Sequence, residues 1–241
     1  MKKALFLFFA CSLLAACGKK SQPQPHEQSI STFRNLPGDS AVYGLACDGS
    51  TDSILILLPL SGTDPDTFDI INAFQEHRLM GRPHIGDHLA VIVGNDSTRE
   101  VLTTINMSTL TGQWNYMVTP TLRHRPDTSR PLPDSIRQRL LAPREYTLRL
   151  RNGGTAFAFG SYQHKSNSMS PVDYPTLKHY THWHLYNGRL VLATDSARNE
   201  TPDTATIVLL RRDSLVLRFS DHEQAYYRHK QQTTNNNKKH N

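Results

Sequence analysis

The sequence predicts an all-β fold in which a small N-terminal β-barrel precedes a larger C-terminal antiparallel meander barrel. Three hairpin patterns follow one another in the second half of the chain, each with apolar residues on both sides of a turn. Short apolar runs, bounded by turn-forming residues, dominate the first half. With 37% hydrophobic and 8% aromatic residues, the chain has enough apolar side chains for a true core.

Residues 1–16 have the order of a secretory signal. Lys2 and Lys3 precede an apolar run over residues 4–14, and small residues lead directly to Cys17. This run is too short for a transmembrane helix, which needs about 20 residues. The small residues before a cysteine resemble the lipobox of bacterial lipoproteins, which implies removal of residues 1–16 and acylation of Cys17 with diacylglycerol and palmitate-type chains.

Polar segments are predicted at both ends of the mature chain. Residues 17–32 contain two prolines and few apolar side chains, which is typical of a flexible tether. Residues 230–241 are rich in Asn, Lys, Gln and Thr and are predicted to be a disordered tail. Most of the formal charge of +6 belongs to lysines in these ends and in the signal, so the folded body is close to neutral. We therefore expect no nucleic-acid partner.

Residues 33–107 are predicted to form the small N-terminal β domain, a β-barrel or OB-like module. The runs 54–58, 89–93 and 101–105 are typical of buried strands. The segment 64–81 is ambiguous, because helical spacing of apolar residues overlaps a β-prone run. Strand structure is slightly favoured there.

Residues 108–229 are predicted to form the larger barrel. The hairpins join 146–150 to 157–159, 183–185 to 190–192, and 206–210 to 215–219, and a last strand covers 225–228. Asn152-Gly153 and Asn187-Gly188 supply the strongest turn signals. Successive hairpins without covering helices favour closure into a barrel. A short helix over 134–141 is compatible with the proline-rich connection before this series.

The second half of the chain resembles the lipocalin-like domains of Bacteroidetes-type lipoproteins. The resemblance rests on Gly112-Gln-Trp114, which is similar to a Gly-x-Trp opening, and on the ordered motifs 148–156, 183–190, 203–207, 213–217 and 226–228. It implies an antiparallel barrel that accommodates a small apolar or amphipathic ligand. We expect Trp114 and Trp183 chiefly as core residues. The candidate ligand-contacting side chains are Trp114, Phe157, Phe159, Trp183, Leu192 and Leu217.

Two alternative functions remain open at this point. If side chains fill the barrel, the protein is an interaction or scaffold module of an envelope assembly. His182 and His184 are weak candidates for metal handling, because residues two apart on a strand share one face. No catalytic motif and no cofactor-binding motif occurs, so a non-enzyme is expected. Cys47 has no expected intrachain partner once Cys11 leaves with the signal and Cys17 is acylated.

The lipobox resemblance predicts anchoring in the outer membrane, facing the periplasm, with the cell surface as the alternative. Replacing Cys17→Ser removes the acyl acceptor, and multiple acyl chains are what make lipid anchoring firm. We expect the Cys17→Ser protein to leave the membrane fraction on cell fractionation. Retention of this variant in membranes would contradict the prediction.

Overall fold

The computed structural model describes residues 36–95, 99–123, 133–160, 171–175, 177–194 and 201–229. The predicted signal, the lipidation site Cys17, the tether up to residue 32 and the tail from residue 230 lie outside the described residues. No helix in the described part of the chain is long and apolar enough to cross a membrane.

A mixed six-stranded sheet forms the N-terminal module, in the order β3-β2-β1-β5-β6-β4. Its elements are β1 (Ala41–Ala46), β2 (Ile54–Pro59), β3 (Asp66–Asp69), α1 (Ile71–Gln75), β4 (Leu79–Met80), β5 (His88–Asn95) and β6 (Glu100–Asn106). A parallel pairing of Asp69 with Glu100 joins β3 to β6. This single pair links the two ends of the five longer strands, so the predicted small β domain is a mixed sheet that curls back on itself.

The C-terminal barrel is an eight-stranded antiparallel sheet in which strands adjacent in sequence are also neighbours in space. Its strands are β7 (Gly112–Val118), β9 (Arg144–Leu150), β10 (Ala156–Gly160), β12 (His182–Tyr186), β13 (Arg189–Ala193), β14 (Asp203–Leu210), β15 (Ser214–Arg218) and β16 (Glu223–Tyr227). The last strand pairs with the first through Tyr227 and Asn115. This confirms the predicted meander.

The barrel is nearly closed, with a narrow seam between β10 and β12. A single bridge joins Thr155 to His182 there. The two backbone hydrogen bonds of this bridge run from the Trp183 amide to the Gly154 carbonyl at 2.7 Å and from the Ala156 amide to the Thr181 carbonyl at 3.0 Å.

Two local predictions have definite outcomes. The ambiguous segment 64–81 contains both kinds of structure, because β3 and β4 flank the short helix α1. The short helix expected near residues 134–141 is present as α3 (Asp134–Leu140). A two-stranded sheet of β8 (Thr121–Leu122) and β11 (Val172–Asp173) accompanies the barrel.

The Asn187-Gly188 turn has the backbone that its sequence predicts. Asn187 has a φ of 48° and Gly188 a φ of 74°, so both residues adopt the left-handed conformation of a two-residue hairpin turn. In the resulting register Leu185 lies opposite Leu190 and Trp183 opposite Leu192, with all four side chains buried.

The two modules share a hydrophobic core. Ala41, Tyr43, Ala90 and Ile105 project from the N-terminal module into the buried cluster that also contains the interior leucines and tryptophans of the barrel. A separate cluster inside the N-terminal module combines other residues of β1, β5 and β6 with residues of β2, β3 and α1. The predicted boundary between residues 107 and 108 lies inside α2 (Met107–Leu110), whose two apolar ends belong to the shared cluster.

Polar contacts reinforce this shared core. The Asp39 carboxylate accepts hydrogen bonds from the Asn187 amide at 2.9 Å and from the Tyr43 hydroxyl at 2.7 Å. Tyr43 also contacts the Leu185 carbonyl at 3.2 Å. Burial, together with the neighbouring Asp39 carboxylate, raises the pKa of Tyr43, so this hydroxyl remains a neutral donor.

Arg228 ties the end of the barrel to its beginning. Its guanidinium lies over the Trp114 ring, 3.9 Å from the centroid, and Nη2 donates to the carbonyls of Thr109 and Thr111 at 2.6 Å each. Trp114 in turn donates from Nε1 to the Leu110 carbonyl at 2.7 Å. One side chain thus connects the residue after β16 to β7 and to the helix before β7.

Gly112 makes room for this arrangement. A Cβ at this position would lie 3.2 Å from Arg228 Nη2, and the backbone φ of 124° disfavours residues with a side chain. The Gly-x-Trp spacing therefore has a packing reason: glycine admits the guanidinium that covers the tryptophan.

We expect Arg228→Gln to lower the free energy of unfolding by about 2–4 kcal/mol, because hydrogen bonds to a charged group and a cation–π contact are lost. Arg218→Gln is the matched control, since Arg218 pairs with Glu223 on the surface and such pairs contribute about 0–1 kcal/mol. Urea unfolding of both variants measures the difference. Equal losses in the two variants would show that the Arg228 contact has no special role.

Candidate functional site

A cleft of about 520 Å³ lies between the N-terminal module and strand β14 of the barrel. Its walls are mainly apolar, with charged side chains among them. The lining residues are Asp52, Phe74, His77, Leu79, Met80, Arg82, Val208, Leu209, Leu210 and Arg211. This volume falls within the roughly 300–1,000 Å³ of small-molecule sites, which often lie at domain interfaces.

The N-terminal wall of the cleft comes from α1 and β4. Phe74 on α1 is 46% exposed although it is a large apolar side chain. Its helix is only five residues long and buries Ala73 instead, which leaves the phenylalanine ring directed away from the core. His77 follows with a positive φ of 56°, and the chain then turns into β4, where Leu79 and Met80 complete this wall.

The opposite wall comes from the end of β14. The Gly81 amide donates to the Leu210 carbonyl at 3.0 Å and so connects the two walls at one end of the cleft. The register of β14 against β15 shifts between Ile207 and Leu209, which is a β-bulge. A bulge redirects side chains locally and breaks their alternation. It accounts for Val208, Leu209 and Leu210 all lining the same cleft.

Charged groups at the cleft are mostly basic. Arg82 and Asp52 approach to 3.6 Å, with side chains 81% and 66% exposed, so they form a solvated pair. Arg211 lies in the turn between β14 and β15, and its amide donates to the Ser214 carbonyl at 2.8 Å. An apolar wall bordered by exposed cations suits a molecule with an apolar body and a polar end.

Four of the sequence-predicted ligand residues lie in the barrel core. Trp114, Trp183, Leu192 and Leu217 are each at most 1% exposed and belong to one buried cluster. The Trp183 indole donates from Nε1 to the Arg151 carbonyl at 2.9 Å. These side chains pack against one another around the barrel interior and are not among the lining residues of the cleft.

Phe157 and Phe159, the other two predicted ligand-contacting residues, lie on the outer face of β10. Both side chains are 40% exposed, whereas Ala156 on the same strand is fully buried. Strand residues alternate between faces, so the small residues of β10 point inwards and the two rings point outwards. The rings are also absent from the cleft lining.

The histidine pair lies on β12, as predicted, but its two members differ. His182 is exposed, and its ring contacts the Thr181 hydroxyl at 3.0 Å. His184 is partly buried, and this burial lowers the pKa of its imidazole. Among the residues that the structure describes, no three His, Cys, Asp or Glu side chains are grouped to hold a metal ion. Cys47 is a free thiol of intermediate exposure.

Four tyrosines, Tyr116, Tyr146, Tyr180 and Tyr226, lie close together in the barrel. Tyr116 makes edge-to-face contacts with Tyr146 and Tyr226, at centroid distances of 5.7 and 5.1 Å. The Tyr180 hydroxyl donates to Asp203 at 2.6 Å. Burial, and to a smaller extent the neighbouring Tyr146, raises the pKa of Tyr116 to about 12. Burial also raises the pKa of Tyr180 and of Tyr226, so the cluster is neutral at physiological pH.

The cleft residues were not predicted as a site from the sequence. In the sequence, Phe74 belongs only to the ambiguous segment 64–81, and Leu209 only to a predicted hairpin strand. Comparison of the chain with models of protein families, with curated proteins and with solved structures finds no match.

The tyrosine cluster predicts a loss of stability at alkaline pH. An unfolded tyrosine titrates near pH 10, whereas folded Tyr116 keeps its proton up to about pH 12. Between these values the folded state binds more protons, so stability falls as the pH rises, by up to about 1.4 kcal/mol per pH unit for one tyrosine. We expect Tyr116→Phe to reduce this loss. Urea unfolding at pH 7 and pH 11 measures it, and an unchanged pH dependence would contradict the assignment.

Proposed function

We propose that this chain is a non-enzymatic, membrane-tethered binding protein of the cell envelope, and that it takes up a small apolar or amphipathic molecule in the cleft between its two modules. The observation that carries the proposal is the cleft itself. It combines the volume of a small-molecule site with apolar walls and a few charged groups.

The lipocalin-like resemblance supports a binding function, because the eight-stranded meander is the fold that it implies. In that interpretation the ligand would occupy the barrel interior. Trp114, Trp183 and the surrounding leucines fill the interior near the N-terminal module, with exposures of 0–2%. We therefore assign the ligand to the cleft. Binding there would come from apolar surface removed from water, at about 25 cal/mol per Å², less the cost of immobilising the ligand.

The packed barrel core also favours a second candidate function. A barrel filled by its own side chains is a rigid platform, and the chain would then act as an interaction module of an envelope assembly. Native mass spectrometry of the protein purified from its own cell envelope separates the two candidates. A retained small molecule supports the binding protein, and a retained protein partner without a small molecule supports the interaction module.

The cleft assignment predicts the effect of one substitution. We expect Phe74→Ser to weaken binding of the apolar fluorophore N-phenyl-1-naphthylamine about tenfold, since part of a phenylalanine contact is lost. Phe157→Ser is the matched control, because Phe157 is similarly exposed and lies outside the cleft. Fluorescence titration of both variants measures the affinities. No binding by the unmodified chain refutes the binding function, and an equal loss in both variants refutes the cleft as the site.

A further inference from the structure

Two phenylalanines and two arginines form an exposed patch on the outer face of β9 and β10. We call Arg149, Arg151, Phe157 and Phe159 the aromatic–arginine patch. The Arg151 guanidinium lies 5.0 Å from the centroid of the Phe157 ring, and the Arg149 guanidinium 5.8 Å from that of Phe159. Each ring is 40% exposed. The patch therefore presents apolar rings and cations side by side.

The sheet fixes the positions of these side chains. Phe157 pairs with Arg149 and Phe159 with Thr147 across the β9–β10 ladder. Ala156 fills the inner side of β10, so the alternation of the strand keeps both rings outside. The rings stay exposed because the inner face of β10 is filled by its small residues. Exposed aromatic side chains grouped in this way mark an interaction surface.

The charge of the patch is positive. Arg149 donates from Nη2 to the Gln113 side chain at 2.8 Å, which is a neutral partner. Within the described residues, neither Arg149 nor Arg151 forms an ion pair with a carboxylate. The surface that fits the patch is therefore negatively charged and accepts aromatic rings.

The described chain begins at the end of β12 that is farther from the patch. Pro37 contacts Tyr186 at one end of β12, where the Pro37 carbonyl lies 3.5 Å from the Tyr186 hydroxyl. At the other end of β12, about 13 Å away at about 3.3 Å per residue, His182 pairs with Thr155. Because this pairing is antiparallel, Phe157 lies beyond that end, level with Tyr180 and about 20 Å along the sheet from Tyr186. A tether attached at residue 36 must therefore cover at least about 20 Å for the anchor and the patch to reach one membrane.

We propose that the aromatic–arginine patch docks on an anionic lipid surface. The guanidinium groups of Arg149 and Arg151 bind headgroup phosphates, and the rings of Phe157 and Phe159 enter the boundary between headgroups and acyl chains. The predicted anchor at Cys17 would sit at the same membrane. The segment from residue 17 to residue 35 spans at most about 60 Å, which is ample for simultaneous contact. Docking is independent of the ligand in the cleft.

Vesicle binding by a protein without acyl chains tests this docking directly. The mature chain carrying Cys17→Ser is mixed with phosphatidylcholine vesicles, with and without phosphatidylglycerol, and the bound fraction is measured by cosedimentation. We expect binding to the vesicles that contain phosphatidylglycerol and a large decrease at about 1 M salt, where charges are screened beyond about 3 Å.

Substitutions in the patch distinguish it from other exposed residues. We expect Arg149→Gln and Arg151→Gln each to weaken vesicle binding about fivefold, and Phe157→Ser with Phe159→Ser to abolish it. Matched controls are Arg212→Gln for the arginines and Ile85→Ser for the rings, because Arg212 is exposed and outside the cleft, and Ile85 is 71% exposed and lies in the N-terminal module. The controls should bind as the parent does. Thermal unfolding of every variant confirms that the fold is intact.

Several outcomes would overturn the proposal. One is equal binding by the patch variants and the controls, and another is equal binding to vesicles with and without phosphatidylglycerol. A third outcome is a parent protein that does not bind vesicles but self-associates. If the Phe157→Ser, Phe159→Ser variant then loses this self-association, the patch is a contact between copies instead.

Discussion

The contact between Arg228 and Trp114 is the constraint on which the barrel depends. An up-and-down sheet closes only when its last strand meets its first, yet β16 and β7 share a single register pair. Arg228 strengthens this junction by covering the indole and binding two carbonyls beside α2. Burial lowers the pKa of its guanidinium, so the charge depends on those carbonyls and on the ring for compensation.

The same region sets the relationship between the modules. α2 and the start of β7 lie within the shared core, so the outer faces of β1, β5 and β6 rest on the barrel. A gap between the modules lies beside the bulge of β14. The cleft is therefore a by-product of how the two modules meet. Its walls belong to elements more than 130 residues apart in the chain, α1 and the end of β14.

The separation of the cleft walls in the chain explains why the sequence predicts the hairpins but not the cleft. Local signals were sufficient for the hairpins, since Asn187-Gly188 specifies its own turn and register. They did not decide which face of β10 is buried, because Ala156, Phe157, Ala158 and Phe159 are apolar on both faces of the strand. The cleft could not be predicted at all. It needs a bulge and a close approach of the modules, and neither has a signature in neighbouring residues.

The meander also determines the order in which the barrel can assemble. The hairpins from β12 to β16 join segments separated by short turns, so they can form within microseconds of one another. Pairing of Tyr227 with Asn115 instead closes a loop of more than 100 residues, which costs far more chain entropy. Pairing of β16 with β7 is therefore a late event in folding. Until then the Arg228 guanidinium does not cover the Trp114 ring. A chain truncated before residue 228 would retain its hairpins and yet leave the Trp114 ring without the guanidinium that covers it.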